Sequence, residues 1–516
     1  MSYLAYLNLS TNRFSGQIPP DLGYLRNLKF LDLNYNSLQG SIPDAVTNCS
    51  SLRGLYLAGN LLVGEIPKKL ALLSSLLHLW LHSNNLTGAI PPDLGNITTL
   101  RHVILQSNQL HGSIPEELGK LSNMSDLLLG VNMLSGRIPE ALLNLSSLQQ
   151  LAMPVNMLHG PLPSKIGDSL PNLQLLYLGG NMLGGHIPES LGNASALQSI
   201  ALENKYGFTG RIPPLGKLQK LRTLFLHNNN LETKDSQSWE FLDALTNCTR
   251  LVRLSFYGNL LQGVLPDSVG NLSSNLDYLS LGSNMLYGLV SSSIGNLHKL
   301  TTLDLQYNSF TGAIGGWIES MSNHFSGHIP DSIGNISKLT ELFLSENQFY
   351  GPIPSSLGKV PQLSNLYLNY NNLQGHIPKN LIASTVVQCS LSNNNLEGQI
   401  HDLGNLQQIN YLDLSSNKLT GDLAQSTDNF SESNFVGRGS HGSVYKRRLI
   451  TPKPVVVAVK VFDLAMEGTD RSFMSECQAL RNIRHRNLLP ILTVCSTIDN
   501  RGNDLKAITL VYVIII

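Results

Sequence analysis

One asparagine returns along this chain every 24 residues. Asn12, Asn36, Asn60, Asn84, Asn108, Asn132 and Asn156 keep that interval and Asn181 follows 25 residues on, each within a variant of L-x-L-x-x-N-x-L-x-G. The series resumes at Asn229, Asn259, Asn284, Asn308, Asn323, Asn347, Asn371, Asn394 and Asn417. An L-x-x-L-x-L stretch reads as a short strand with its leucines turned inward, and the asparagine can bond backbone groups of the turn that follows. No single unit of this size buries its own leucines, so neighbouring units must stack. The expectation is an α/β array on a parallel β-sheet: residues 1–421 as one right-handed, curved solenoid.

Most units continue as G-x-I-P, for example Gly16 to Pro19, Gly64 to Pro67, Gly136 to Pro139 and Gly375 to Pro378. A period in the range of about 20–29 residues with this leucine pattern is the signature of leucine-rich repeats. The G-x-I-P signature resembles the plant-specific type, which implies an extra short strand and added twist. Three units are irregular. Lys205 stands where an anchor asparagine is due, and ETKDSQSWEFLDALTNCTR stretches the step from Asn229 to Asn259 to 30 residues. The step from Asn308 to Asn323 is only 15 residues and contains no L-x-x-L-x-L, so a local break or bulge in the sheet is expected there.

At 516 residues the chain is too long for one compact core. Charged residues are 14% of the total against the usual ~25%, with zero formal net charge, which argues against nucleic acid or an anionic membrane surface as a general partner. Cys49, Cys248, Cys389, Cys477 and Cys495 show no zinc or disulfide spacing and read as small core residues. No run reaches the ~20 apolar residues of a spanning helix. The start MSYLAYLNLSTN has no leader pattern. Sequons at Asn8, Asn48, Asn85, Asn96, Asn123, Asn144, Asn193, Asn247, Asn271 and Asn335 nevertheless suit a secreted, glycosylated ancestry.

Solenoids bind partners on their concave face. Residues flanking the inward leucines should point there, so the central variable position reads Asp32, Tyr56, Trp80, Ile104, Leu128, Ala152 and Tyr177, then Phe225, Ser255, Ser280, Asp304, Phe343 and Tyr367. Aromatic side chains in such places make good interface anchors, with Tyr56, Trp80, Tyr177 and Phe225 the foremost candidates. His78, His102 and Asp126 form a short ladder one position to the side. A polypeptide ligand fits this face. A metal ion does not, because the outer rungs of that ladder are too far apart for one ion.

The tail carries different chemistry. Val436 to Val444, VGRGSHGSV, matches G-x-G-x-x-G-x-V, a motif shared in part with dinucleotide folds. Here it runs into the β-rich stretches SVYKRRL and VVVAVKVFDL instead of opening a helix. The VAVK ending at Lys460 supplies an amine suited to α and β phosphates, and FMSECQALRNIRHRNLL offers an amphipathic helix with Glu476 placed to pair with it.

STDNFSESNFVGRGSHGSVYK, CSTIDNRGNDLKAITLVY and the repeat insertion WEFLDALTNCTRL together carry a resemblance to plant leucine-rich-repeat receptor-like serine/threonine kinases, in the grass group typified by the rice bacterial-blight resistance receptor kinase. The resemblance implies a solenoid over residues 1–421, a juxtamembrane-like linker over 422–430 and a partial kinase N-lobe of α+β type over 431–516. It implies ATP as cofactor, with Mg in complete members, held by Val436, Gly437, Gly439, Gly442, Val444, Ala458 and Lys460, with Glu476 as the αC partner. It also implies a peptide or protein ligand, a co-receptor kinase and a plasma-membrane address.

Several features depart from the family pattern. Arg447 replaces the glycine usual after VYK, no spanning helix precedes the linker, and VIII follows Tyr512 where a hinge is due. No H-R-D or D-F-G follows, and the HRN at His485 to Asn487 is a decoy just after the expected helix. Phosphoryl transfer needs an aspartate at the substrate hydroxyl and an asparagine and aspartate on magnesium. These 516 residues alone are therefore expected to transfer no phosphoryl group. The alternative to a receptor kinase is a soluble repeat module, or a pseudogene-like fragment with no kinase role.

Overall fold

The computed structural model describes residues 3–205, 207–311, 328–382, 385–399 and 408–420, and the backbone of five strands between 435 and 514. The chain divides into two compact units, Met1–Gln262 and Gly263–Ile516.

Within the first unit each repeat gives a three-residue strand, and successive strands pair in parallel without slippage. Tyr56 sits beside Trp80 and Trp80 beside Ile104, while His78 sits beside His102 and His102 beside Asp126. Alternation sends Leu55, Leu57, Leu79 and Leu81 into the interior, all at 0% exposure. Burial of each leucine contributes about 2 kcal/mol.

The anchor asparagines lock this stacking. Asn60 Nδ2 donates to the carbonyls of Leu57 and Ala58 in its own unit and of Leu33 in the unit before, and its Oδ1 accepts from the Leu38 N–H. The same set recurs at Asn84, with Leu81, His82, Leu57 and Leu62 as partners. The residue before each anchor has a left-handed backbone, including Ser83, Val131 and Val155.

The G-x-I-P signature acts as expected. Gly64 has φ +81°, Ile66 is buried, and Pro67 at φ −63° leads into the 3-10 helix Lys68–Leu72. Second short strands Ser15–Gln17, Ser37–Gly40, Leu61–Glu65 and Asn85–Thr87 pair in parallel beside the main ladder.

Length variation is absorbed behind the ladder. The 25-residue unit before Asn181 replaces the 3-10 turn with a short α-helix, Ile166–Ser169. The 30-residue step is taken up by Ser236–Trp239 and Glu240–Leu245, opened by an Asp235 capping box and packed through Trp239, Phe241 and Phe256. Where Lys205 replaces the anchor, the buried Asn204 donates to the Leu183 carbonyl as a partial substitute.

In the second unit the expected break is absent from the main ladder. Strand Thr302–Asp304 pairs directly with Glu341–Phe343, residue for residue. Asn347 bonds to Phe310 N–H and Leu305 O across separations of 37 and 42 residues, where Asn84 spans 22 and 27. Each separation is longer by the same 15 residues. Asn323 is therefore not an anchor of this ladder: Asn308 to Asn347 is one repeat carrying an insertion, and Asn323 itself lies outside the described residues.

Cys49, Cys248 and Cys389 are buried free thiols, as their isolated spacing suggested. Burial pushes Cys248 up to about 11, and burial with the nearby Asp413 charge pushes Cys389 up to about 12.

Candidate ligand-binding ladder and nucleotide loop

The in-register ladder turns the repeat pattern into a grid of outward side chains. Tyr56 and Trp80 meet edge to face with ring centroids 4.8 Å apart, and Tyr56 also stacks on His78 at 6.0 Å. His78 and His102 lie nearly parallel at 4.8 Å, and His102 Nδ1 pairs with the Asp126 carboxylate. All four rings are half-buried and lie outside the leucine core. Aromatic pairs of this kind contribute about 0.5–1.5 kcal/mol beyond their buried area.

Desolvation, with smaller effects from His102 and Arg101, lowers the pKa of His78, and desolvation also lowers that of His82. Both imidazoles are neutral at pH 7. Trp80 Nε1 and His78 Nδ1 are enclosed and make no hydrogen bond among the described residues. The stacked imidazoles present ring faces to each other, so they do not converge on one ion.

Tyr177 and Phe225 stand two rungs apart on the same column, with Ala201 between them in register. Tyr177 Oη hydrogen-bonds Ser199 Oγ at 2.8 Å, and Phe225 meets His227 at 5.8 Å. The next outward column holds Glu203 and His227, which no motif in the sequence singles out. Glu203 Oε2 and His227 Nδ1 are both enclosed without a hydrogen-bond partner among the described residues. Desolvation lowers the His227 pKa despite the opposing pull of Glu203. In the second unit Phe343 stacks on Tyr367 at 5.4 Å, and Tyr367 Oη donates to Gln388.

The glycine motif is a hairpin. Phe435–Gly439 runs antiparallel to Gly442–Leu449, with Gly439 opposite Gly442 and a register shift at Val436. Gly442–Leu449 then pairs with Val455–Asp463, so Val444 faces Lys460 and Lys446 faces Ala458, and Lys460 is flanked on its other side by Leu510. This is the strand-to-strand context expected of a kinase loop, not the strand-to-helix turn of a dinucleotide site. Glu476 lies outside the described residues. So does the expected helix, except for Leu488 and Leu489, which open the strand Leu488–Ile498.

Comparison with known proteins agrees at both ends. Residues 2–62 match the family Leucine rich repeat, and residues 75–97, 99–121, 172–194, 299–321 and 338–360 match Leucine Rich Repeat. Residues 430–511 match Protein tyrosine and serine/threonine kinase. Receptor kinase-like protein Xa21 of Oryza sativa subsp. japonica is 55% identical over 86 residues, covering 17% of this chain and 8% of that protein. The chain therefore spans a small part of the curated relatives it matches. The plant peptide hormone receptor RGFR1, solved in complex with RGF2, is 32% identical with a TM-score of 0.73, covering 81% of this chain and 64% of that one. The Arabidopsis receptor kinase HAESA, solved with the peptide hormone IDA and the co-receptor SERK1, is 34% identical with a TM-score of 0.68, covering 81% and 71%. Among the described residues no helix is long and apolar enough to cross a membrane. A likeness of that extent to a plant receptor kinase, joined in one chain to a kinase-family segment, settles the kinship: this chain belongs to the plant leucine-rich-repeat receptor-like kinases.

Proposed function

We propose that residues 1–421 are the recognition part of a receptor-like serine/threonine kinase at the plasma membrane, 422–430 the juxtamembrane-like link and 431–516 an ATP-binding N-lobe. The ladder face takes a peptide or protein ligand, and a co-receptor kinase joins the liganded receptor. The observation carrying this reading is the patch of Tyr56, Trp80, His78 and His102, whose rings meet across neighbouring rungs while the inward Leu55, Leu79 and Val103 fill the core. Rigid aromatic surface of this kind binds a peptide at little entropic cost. At the other end, the Gly437, Gly439 and Gly442 hairpin leaves backbone free to approach phosphates, with Lys460 one strand away to hold them. In a complete receptor, ATP with Mg would then serve phosphoryl transfer to serine or threonine.

The test uses peptides selected from a random-sequence display library on the full chain, titrated calorimetrically against wild type and Trp80→Ala. The variant is expected to lose at least ~2 kcal/mol of binding while keeping its fold, as read by circular dichroism. Unchanged affinity would remove the ligand from this patch.

A further inference from the structure

We propose that Met133, Met157 and Met182 form a modification site: a stripe of thioethers that peroxide converts to sulfoxides with the fold intact, turning an apolar flank of the first unit polar.

The stripe follows from the repeat. Each methionine comes directly after an anchor asparagine and opens the second short strand of its unit, Met133–Gly136, Met157–Gly160 and Met182–Leu183. These strands are neighbours in one parallel sheet, with Ser135 beside Met157 and His159 beside Met182. Alternation turns the next residue of each strand inward, and Leu134, Leu158 and Leu183 are all fully buried. The methionines themselves are 43%, 44% and 60% exposed. Val131 and Val155, two residues before the first two methionines, are also exposed, so the flank is apolar beyond the sulfurs. Earlier repeats hold Ser37, Asn85 and Gln109 at the same position, so stacking requires no apolar side chain there.

The chain carries its own contrast. Met124 and Met153 belong to the same part of the solenoid and are at 0% exposure. Oxidation moves one oxygen atom: a sulfur lone pair attacks a peroxide oxygen, the O–O bond breaks and an S–O bond forms. Sulfur loses two electrons, and hydrogen peroxide, taking them up, leaves as water. The oxidant must touch the sulfur, so burial protects the two core methionines while exposure admits the three of the stripe. A sulfoxide is polar and would disrupt a packed core, but on this flank it faces water. The described cysteines offer no easier target, because burial raises the pKa of Cys49, Cys248 and Cys389 and keeps them as unreactive thiols.

The full chain is treated with increasing hydrogen peroxide at neutral pH. Mass spectrometry reads each methionine peptide, circular dichroism reads the fold, and native hydrophobic-interaction chromatography reads the surface. Met133, Met157 and Met182 are expected to gain one oxygen each at least about tenfold faster than Met124 and Met153. The oxidised chain should keep its native spectrum and elute earlier. A variant carrying Met133→Leu, Met157→Leu and Met182→Leu keeps the flank apolar without a sulfur to oxidise, and should lose most of the elution shift. Equal rates at exposed and buried methionines, loss of the native spectrum as the three sulfoxides form, or a variant that shifts as far as wild type would overturn the proposal. The rate comparison is made on wild type alone, so it decides even where the variant misfolds.

Discussion

Removing one anchor asparagine tests what holds the repeats in register. Asn84 is 6% exposed, and its Nδ2 has two hydrogens for three carbonyls, so one bond is shared: Leu57 O at 2.9 Å, Leu81 O at 3.1 Å and His82 O at 3.3 Å. Each carbonyl keeps another partner after truncation, since Asn60 also donates to Leu57 O, Asn108 to Leu81 O and the Gly59 N–H to His82 O. The Leu62 N–H does not, because Asn84 Oδ1 is its acceptor at 3.0 Å. Asn84→Ala therefore orphans one buried donor, at about 1–3 kcal/mol, and forfeits two further bonds of about 0.5–1 kcal/mol each. The expected loss is about 3 kcal/mol. In a repeat protein it falls on the local interface, not on one global transition. Hydrogen exchange of the amides between residues 54 and 90 reads it directly, as an acceleration of roughly 100-fold in the Leu62 amide.

Asn84→Asp sharpens the test, because it keeps the acceptor for Leu62 but turns an oxygen toward three carbonyls. Its folded pKa must rise above the ordinary ~3.9. The native state then binds more protons than the unfolded state above that value, so stability falls as pH rises. The aspartate variant should be worse than alanine at pH 7 and approach it near pH 4. Asn85→Ala, one residue on and exposed, should change stability by less than ~0.5 kcal/mol. Wild-type exchange in Asn84→Ala, or an aspartate tolerated at pH 7, would refute the bonding account.

Val131 has φ 54° and is 49% exposed, so Val131→Asn should relieve left-handed strain at a β-branched residue and raise stability by about 1 kcal/mol in thermal melts; a loss of stability would contradict this. Because the pKa values of His78, His82 and His227 are lowered in the fold, the unfolded chain binds more protons below ~6.5, and stability should decline as pH falls through that value. His82→Gln should flatten part of that slope, whereas Asp304, whose pKa is raised by burial, acts in the opposite sense in the more acidic range above its ordinary value; an unchanged slope in the variant would count against His82.

Periodicity makes the main ladder readable because each anchor does the same job: an amide that bonds backbone on both sides cannot be swapped for another side chain without orphaning a buried group. That is why the side-by-side placement of Tyr56, Trp80, His78, His102 and Asp126 is legible in the sequence, and why the glycine hairpin and Lys460 follow from the strands around them. Asn323 misleads because its N-x-F-x-G-x-I-P continuation copies the second half of a repeat. The first half decides, since inward leucines make the rung, and their absence between Asn308 and Asn323 signals an insertion and not a broken sheet.

Glu203 is invisible in the sequence for a different reason. Its column begins beyond the leucine pattern, where the repeat imposes no residue type, so nothing in the sequence distinguishes an unsatisfied carboxylate from a solvated one. Only the cross-rung register, with the carboxylate packed over Gly179, encloses its Oε2 without a hydrogen-bond partner among the described residues. The residues that a repeat leaves free to vary are the ones its stacking does not need, so their surroundings are set by the neighbours across the rungs and not by the pattern, and only the structure makes them legible.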